Sequence, residues 1–408
     1  MSPDSGAAVP RVLSLSSVFP RPDEPRFGVF VARRLEHLAE LAPVEAAVPV
    51  PWLEIAGRRP KLPRLHGVKT VQRGALTVHY RRWLYPPGLG FFHPAWMAAQ
   101  MAPWLGRLRR RFPFNVIDAH FGFPESVAAM RLARRFGVPF TATLRGNELI
   151  HARCPRRRAQ MQAAFRAAAA VMANSPQLRD LAVELGADPA RTRVIGNGVD
   201  TTIFHPRPRE EARRRLAMDP SRLHIVSAGW LVLEKGHHLL ANVLPRLHAG
   251  GLPADLWILG GPGRGEDARP ELARIIARHG LEAHVHLPGA VPPETLAEYF
   301  SACDVFCLAS LREGWPNVVQ EALACGAPVV AARVGAVEQI LDAPECGEIV
   351  PPGDPGALFS ALARLLRAGF DREAIARRGA ARSWRQVAQE VLDVFQTIVF
   401  SSVDPERP

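Results

Sequence analysis

The chain has 408 residues, 48% hydrophobic and 22% charged, a composition that suits a globular protein of two or three domains. No stretch approaches the roughly 18 to 20 uninterrupted apolar residues of a membrane span, and the opening MSPDSGAAVP lacks the basic-then-apolar layout of a secretory signal. A cytoplasmic location is therefore expected. The net charge of +12 is unevenly placed, +15 over residues 1–200 and −3 over 201–408. A basic first half can attract nucleic acid, an anionic membrane surface or a phosphorylated acceptor. Arginine outnumbers lysine 48 to 3, a bias that explains the choice of cation but not its confinement to one half. The five cysteines are scattered, with no C-x-x-C pair and no histidine at zinc spacing, so reduced thiols are expected.

Val12 to Ser17 reads as a strand, followed by the proline-rich loop FPRPDEPRFG and a helical pattern from Val29 to Leu41. Gly28 closes that loop, either as a turn glycine or to let the backbone approach a substrate closely. Residues 51–112 are the least regular stretch. Within it, Pro94 to Phe112 sets Trp96, Met97, Met101, Leu105 and Leu108 against an arginine cluster at positions 107, 109, 110 and 111. This pattern fits a helix lying in a bilayer interface or a core helix with a solvated basic end.

Val116 to Ala119 reads as a buried strand with His120 at its carboxyl end, where open α/β sheets place ligand contacts. The next strand, Pro139 to Leu144, runs into the polar loop Arg145-Gly146-Asn147-Glu148, and Arg145 is the best acceptor- or phosphate-binding residue of this half. Arg156, Arg157 and Arg158 add to a basic surface, and a helix is expected around Met161 to Ala170, then a strand from Val171 to Ala173. Ser175-Pro176 reads as a helix cap. Gly196-Asn197-Gly198-Val199-Asp200 suits a hinge turn, with the charged stretch Pro206 to Asp219 as linker.

The second half opens with a strand from Leu223 to Ala228 and the run Gly229-Trp230-Leu231-Val232-Leu233-Glu234-Lys235-Gly236. Lys235 is one of three lysines, and its compact charge suits a diphosphate. Gly260-Gly261-Pro262-Gly263-Arg264-Gly265 follows the next strand and is not a G-x-G-x-x-G dinucleotide turn. The densest run is SLREGWPNVVQEALACGAPVVAA, residues 310–332: a loop carrying Glu313 and Gly314, a helix expected from about Asn317 to Cys325 with Pro316 as its first residue, a Gly326 stop, and a strand through Val329 and Val330. The amides near Asn317, Val318 and Val319 carry the positive end of the helix dipole, for which a phosphate is the natural partner. Glu321, one turn on, can accept hydrogen bonds from sugar hydroxyls.

Glu313-Gly314 and Glu321, followed by Ala-x-Ala-x-Gly-x-Pro-Val-Val, resemble the donor-site signature of retaining glycosyltransferases of family 4. Gly229 to Gly236 is similar to the family's Gly-x-Leu-x-x-x-Lys-Gly, although Trp230 stands where many members have arginine. The resemblance covers nearly the whole length. It implies the α/β GT-B fold of two Rossmann-like domains facing a cleft, with residues 1–205 as acceptor-binding domain, 206–382 as nucleotide-sugar domain, and a last helix over 383–402 packing back on the first. It further implies that Glu321 holds the donor ribose, the amides of Asn317 to Val319 face the phosphates, Glu313 borders the transferred sugar, and His120 helps hold that sugar. Gly28, Arg145, Asn197 and Asp200 would line the acceptor side or the cleft.

The implied activity is retaining transfer from a nucleotide diphosphate sugar to a hydroxyl, with no metal ion and no cofactor beyond the donor. The expected acceptor is a lipid-linked or polysaccharide intermediate of cell-surface glycan (exopolysaccharide) synthesis, with the protein peripheral at the inner face of the cell membrane. Two rivals stay open: a sugar-nucleotide epimerase of the same fold and a non-catalytic basic binding protein. An intact Glu313, Glu321 and Lys235 set argues against the second, and no nucleic acid partner is expected.

Overall fold

The computed structural model describes residues 9–56, 59–65, 67, 69–85, 89–263 and 265–403. The opening residues 1–8 and Arg264 of the glycine-rich loop lie outside them. The chain divides into two compact units, one of residues 1–197 with 384–408 and the other of residues 198–383. The division falls earlier than the expected 205, inside the Asn197–Asp200 run. The expected linker is no linker: Arg209–Arg215 is a helix of the second unit, fixed there because Arg209 and Arg213 both pair with Asp304, Arg213 at 2.8 Å.

In the first unit the strands are β1 (Val12–Leu15), β2 (Val44–Pro51), the antiparallel hairpin β3 (Glu54–Ala56) and β4 (Arg59–Lys61), β5 (Thr70–Arg73), β6 (Leu76–Trp83), β7 (Val116–His120), β8 (Phe140–Leu144), β9 (Ala170–Ala173) and β10 (Thr192–Val194). Eight form one sheet in the order β10-β9-β8-β7-β1-β2-β6-β5, parallel except for β5. The strands Val12–Leu15 and Phe140–Leu144 are buried along their whole length, Ser14, Thr141 and Thr143 included, as a sheet covered on both faces requires. One face carries the helix His93–Arg109, whose Met97, Met101, Leu105 and Leu108 are buried. Of its two sequence readings, the core helix is the one realised, with Arg107, Arg110 and Arg111 in solvent. The other face is closed by the helices Val29–Ala39 and Trp384–Val403, which share a core of Val31, Leu35, Val387 and Val391. The expected strand at 171–173 gains Ala170, and the helix before it spans Pro155–Ala167, because the chain at Ala168 is already extended.

The second unit contains β11 (Leu223–Ala228), β12 (Ala254–Leu259), β13 (Val285–Gly289), β14 (Val305–Leu308), β15 (Val329–Ala332) and β16 (Gly347–Val350), all parallel in the order β13-β12-β11-β14-β15-β16. This is the doubly wound order in which the direction of travel reverses between the first and fourth strands, and ligands bind in the crevice at that switch point. Here the switch lies between β11 and β14. The α/β architecture of two parallel-sheet units is the GT-B fold. Of the five cysteines, four are buried and Cys154 is half-buried, and all are free thiols.

Candidate active site

Two clusters of polar side chains stand at the carboxyl ends of strands, one in each unit. In the second unit the cluster sits at the switch point. After β11 the chain makes a tight turn, Leu233–Lys235, ending on Gly236 at φ 69°. A Cβ at Gly236 would lie 2.0 Å from the carbonyl oxygen of Ala309, just past β14, so only glycine lets this turn rest there. That contact puts Lys235 beside the loop after β14. Its Nζ donates to Glu313 Oε1 at 2.6 Å, and Ser310 Oγ donates to the same oxygen at 2.7 Å. The side-chain stem of Lys235 runs along Gly229, whose Cβ position would be 3.4 Å from Lys235 Cδ. The two residues expected on different parts of the donor thus form one partly exposed ion pair.

The helix after this loop spans Asn317–Ala324, and Pro316 precedes it as N-cap with ψ 85°, not as the first helical residue. The expected trio of free amides is reduced. Asn317 N–H bonds Trp315 O and Val319 N–H bonds Pro316 O, each at 3.0 Å, leaving Val318 as the amide with no such bond among the described residues. Glu321 follows on the same helix. Burial first, and the Asp200 carboxylate second, raise its carboxyl to about 7. Asp200 is itself held in a turn, accepting from Thr202 N–H at 3.1 Å and Thr202 Oγ at 2.6 Å. Among the described residues no group of three or more His, Cys, Asp or Glu side chains is placed to hold a metal ion.

In the first unit the cluster is sealed. His120 is fully buried at the end of β7, with Nε2 2.9 Å from Asp118 Oδ2 and Nδ1 taking Arg145 Nε and Nη2 at 3.2 and 3.1 Å. A guanidinium has only donors, so Nδ1 is the unprotonated nitrogen and Nε2 carries its proton toward Asp118. Burial lowers the imidazole to about 4, against the pull of Asp118, so the ring is neutral at neutral pH. Burial pushes Asp118 up, yet His120 and Arg34 more than offset it and hold the carboxylate well below its usual range. Asp118 Oδ1 also accepts from Thr141 Oγ at 3.0 Å.

Arg145 reaches Asn197 Oδ1 at 3.3 Å, so Asn197 belongs with this cluster while Asp200 belongs with Glu321. Glu148 folds back under the loop, taking the N–H groups of Gly122, Gly146 and Arg145 at 2.8, 2.7 and 3.2 Å. Gly28 caps the helix whose Phe30 ring lies under the Arg145 guanidinium, 5.2 Å from ring centre to Cζ. At φ 72°, its Cβ would fall 2.6 Å from Val18 C, so the close approach it permits is to the chain's own backbone.

Arg34 and Ser310 were not singled out by sequence reasoning, Glu148 was noted only as the end of the polar loop after Leu144, and Asp118 only as part of the Asp118-Ala119-His120 pattern. Arg34 left a readable signal: it lies on the stripe of Val31, Leu35 and Leu38 that the helix buries. A charge on an apolar stripe announces a buried partner. Glu148 and Ser310 left none, because their partners are backbone amides and a loop acid fixed only by folding.

Residues 222–368 match the family model described as Glycosyl transferases group 1, and residues 55–203 match Glycosyltransferase Family 4. The D-inositol 3-phosphate glycosyltransferase of Acidothermus cellulolyticus is 30% identical over 303 residues, covering 69% of this chain and 67% of that protein. Sucrose-phosphate synthase from Thermosynechococcus elongatus superposes with a TM-score of 0.76 at 18% identity, over 96% of this chain and 100% of that one. Anabaena HepE in complex with UDP gives 0.72 at 19%, over 95% and 100%. With matches in both halves of the chain and a relative sharing three residues in ten over two thirds of its length, the chain belongs to the group 1 (family 4) glycosyltransferases and is a glycosyltransferase enzyme.

Proposed function

We propose that this protein transfers a sugar from a nucleotide diphosphate sugar to an acceptor hydroxyl, with retention of anomeric configuration and without a metal ion. The observation that supports this best is the Lys235–Glu313 pair at the β11/β14 switch point, in the loop that leads into the helix carrying Glu321. As the glycosidic bond breaks, the departing diphosphate gains negative charge, and preorganised donors that meet this charge lower the barrier. Lys235 and the Val318 amide fill that role, with Glu313 holding the ammonium in place until the donor arrives. Glu321 takes the ribose hydroxyls. With Trp230 in place of an arginine, Lys235 carries most of the charge. The test is a panel of nucleotide diphosphate sugars, UDP-glucose first because HepE was crystallised with it, incubated with and without chelator. Product that keeps the donor's anomeric configuration, formed equally with chelator, supports the reading; donor converted with no acceptor present points to an epimerase.

For the acceptor side, the basic excess of the first half, +15 over residues 1–200, favours an acceptor carrying negative charge such as a phosphate. Exposed Trp52, Leu84, Leu89 and Phe92 near the start of the basic His93–Arg109 helix favour a lipid-linked acceptor of cell-surface glycan synthesis, used by a protein peripheral at the inner face of the membrane. A second reading, soluble inositol phosphate, draws on the names of the curated relatives. Transfer to a polyprenyl-diphosphate sugar, together with pelleting on anionic liposomes at low but not high salt, supports the first. Transfer to D-inositol 3-phosphate without pelleting supports the second.

A further inference from the structure

A buried carboxyl group in the first unit has no part in the account above. Glu125 lies in the turn that follows His120 and is 1% exposed. Its Oε1 accepts both the N–H of Ser17, at 3.2 Å, and the Ser17 hydroxyl in a short hydrogen bond. Its Oε2 is buried with no hydrogen-bond partner. The turn itself is under strain: Phe121, between His120 and Gly122, is held at φ 80°, a region that suits glycine. It stays there because Phe121 N–H bonds Thr143 O at 2.7 Å, and Ser126 N–H and Oγ–H bond Phe121 O at 3.1 and 2.6 Å. Ser17 opens the loop between β1 and the Val29–Ala39 helix, so Glu125 ties the loop after β1 to the loop after β7. β1 and β7 are neighbours at the reversal of strand order in this sheet, the place where an α/β unit receives its ligand.

A half-satisfied buried carboxyl is unfavourable for the fold, and a glutamine would make the same contacts to Ser17 without the charge. Burial raises Glu125 to about 7, the Ser17 bonds oppose this, and Glu148 is the charged group that adds to it. Around neutral pH the group therefore passes between a neutral acid and a carboxylate. The carboxylate grips Ser17 more strongly, since hydrogen bonds to an ionised acceptor are roughly twice as strong as neutral ones.

We infer that Glu125 is a positioning residue for the acceptor half of the reaction, clamping the loop after β1 through Ser17 so that acceptor binding tightens as the clamp becomes anionic. This rests on the acceptor-side role proposed for the first unit.

The experiment compares wild type with Glu125→Gln and Ser17→Ala, using the best acceptor among D-inositol 3-phosphate, hexose phosphates and a polyprenyl-diphosphate sugar. The expected result is an acceptor KM that falls as pH rises through about 7 in wild type. In Glu125→Gln it should be flat with pH and raised about tenfold at pH 8, with donor KM unchanged within about twofold. Ser17→Ala should move acceptor KM the same way. A melting temperature for Glu125→Gln above wild type at pH 8 but not at pH 5 shows that the variant folds and that the native carboxyl is held against stability. Wild type that transfers sugar while Glu125→Gln leaves acceptor KM and its pH dependence unchanged, or raises donor and acceptor KM together, overturns the inference and leaves the proposed function standing. Absence of transfer by wild type overturns both.

Discussion

The two units place their polar clusters at equivalent ends of parallel sheets, yet build them in opposite ways. In the second unit the Lys235–Glu313 pair is partly exposed: Lys235 follows one strand, Ser310, Glu313 and Glu321 follow another, and Gly236 lets the two loops touch. In the first unit Arg34, Asp118, His120, Arg145 and Glu148 come from two helices, one strand and the loop after the next strand, and are sealed from water. Partly exposed charges stay free to exchange partners with a ligand, whereas sealed ones spend their hydrogen bonds on each other and hold a shape. The second unit is thus built to meet a charge that develops during reaction, and the first to present a fixed surface.

That contrast can be broken first at Asp118. Asp118→Ala leaves two buried guanidiniums facing a neutral ring, and removing one partner of such a buried set costs about 3–5 kcal/mol. Chemical denaturation should show a loss of that size. A loss under about 1 kcal/mol would mean that water reaches the cluster and the sealed description fails.

Lys235→Ala should leave stability nearly unchanged while turnover falls by about 10² or more, the usual consequence of losing one strong electrostatic contact in the transition state. Equal turnover would remove Lys235 from the mechanism.

The next effect concerns pH. Glu321 is raised to about 7 in the folded state, above its unfolded value, so its contribution to stability is complete in acid and is lost as pH rises through about 7. Glu321→Gln should accordingly be more stable than wild type at pH 8 by an amount on the order of 1–2 kcal/mol, with little difference near pH 4. Thermal melts at both pH values check this, and a variant less stable than wild type at pH 8 would show that the carboxylate is needed by the fold. The smallest effect belongs to Glu313→Gln. Its ion pair with Lys235 is partly exposed, so unfolding free energy should change by less than about 1 kcal/mol.

The same contrast explains what could be read before the fold was known. The second unit was legible because its chemistry is local: Glu313, Gly314 and Glu321 fall in one run, and a proline and a glycine bracket the helix between strands. Even there, the pairing of Lys235 with Glu313 needed the contact of Gly236 with Ala309, and the loss of the Asn317 and Val319 amides to Trp315 and Pro316 is a matter of local backbone turns. The first unit was legible only at its strand ends, His120 and Arg145. That His120 sits between Asp118 two residues back and Arg145 in the loop after the next strand, and that Gly28 packs on Val18, needed the fold. The Arg209–Arg215 helix was read as a linker because its charge pattern shows no apolar stripe, its anchor being Asp304.

The account stands on the second unit holding a nucleotide diphosphate sugar through Lys235 and Glu321. Calorimetric titration of wild type, Lys235→Ala and Glu321→Ala with UDP-glucose and the other nucleotide sugars tests it most directly. The predicted result is saturable binding of at least one donor by wild type, with affinity lowered about tenfold or more in each variant. Wild type that binds none of them, or variants that bind as tightly as wild type, would contradict it.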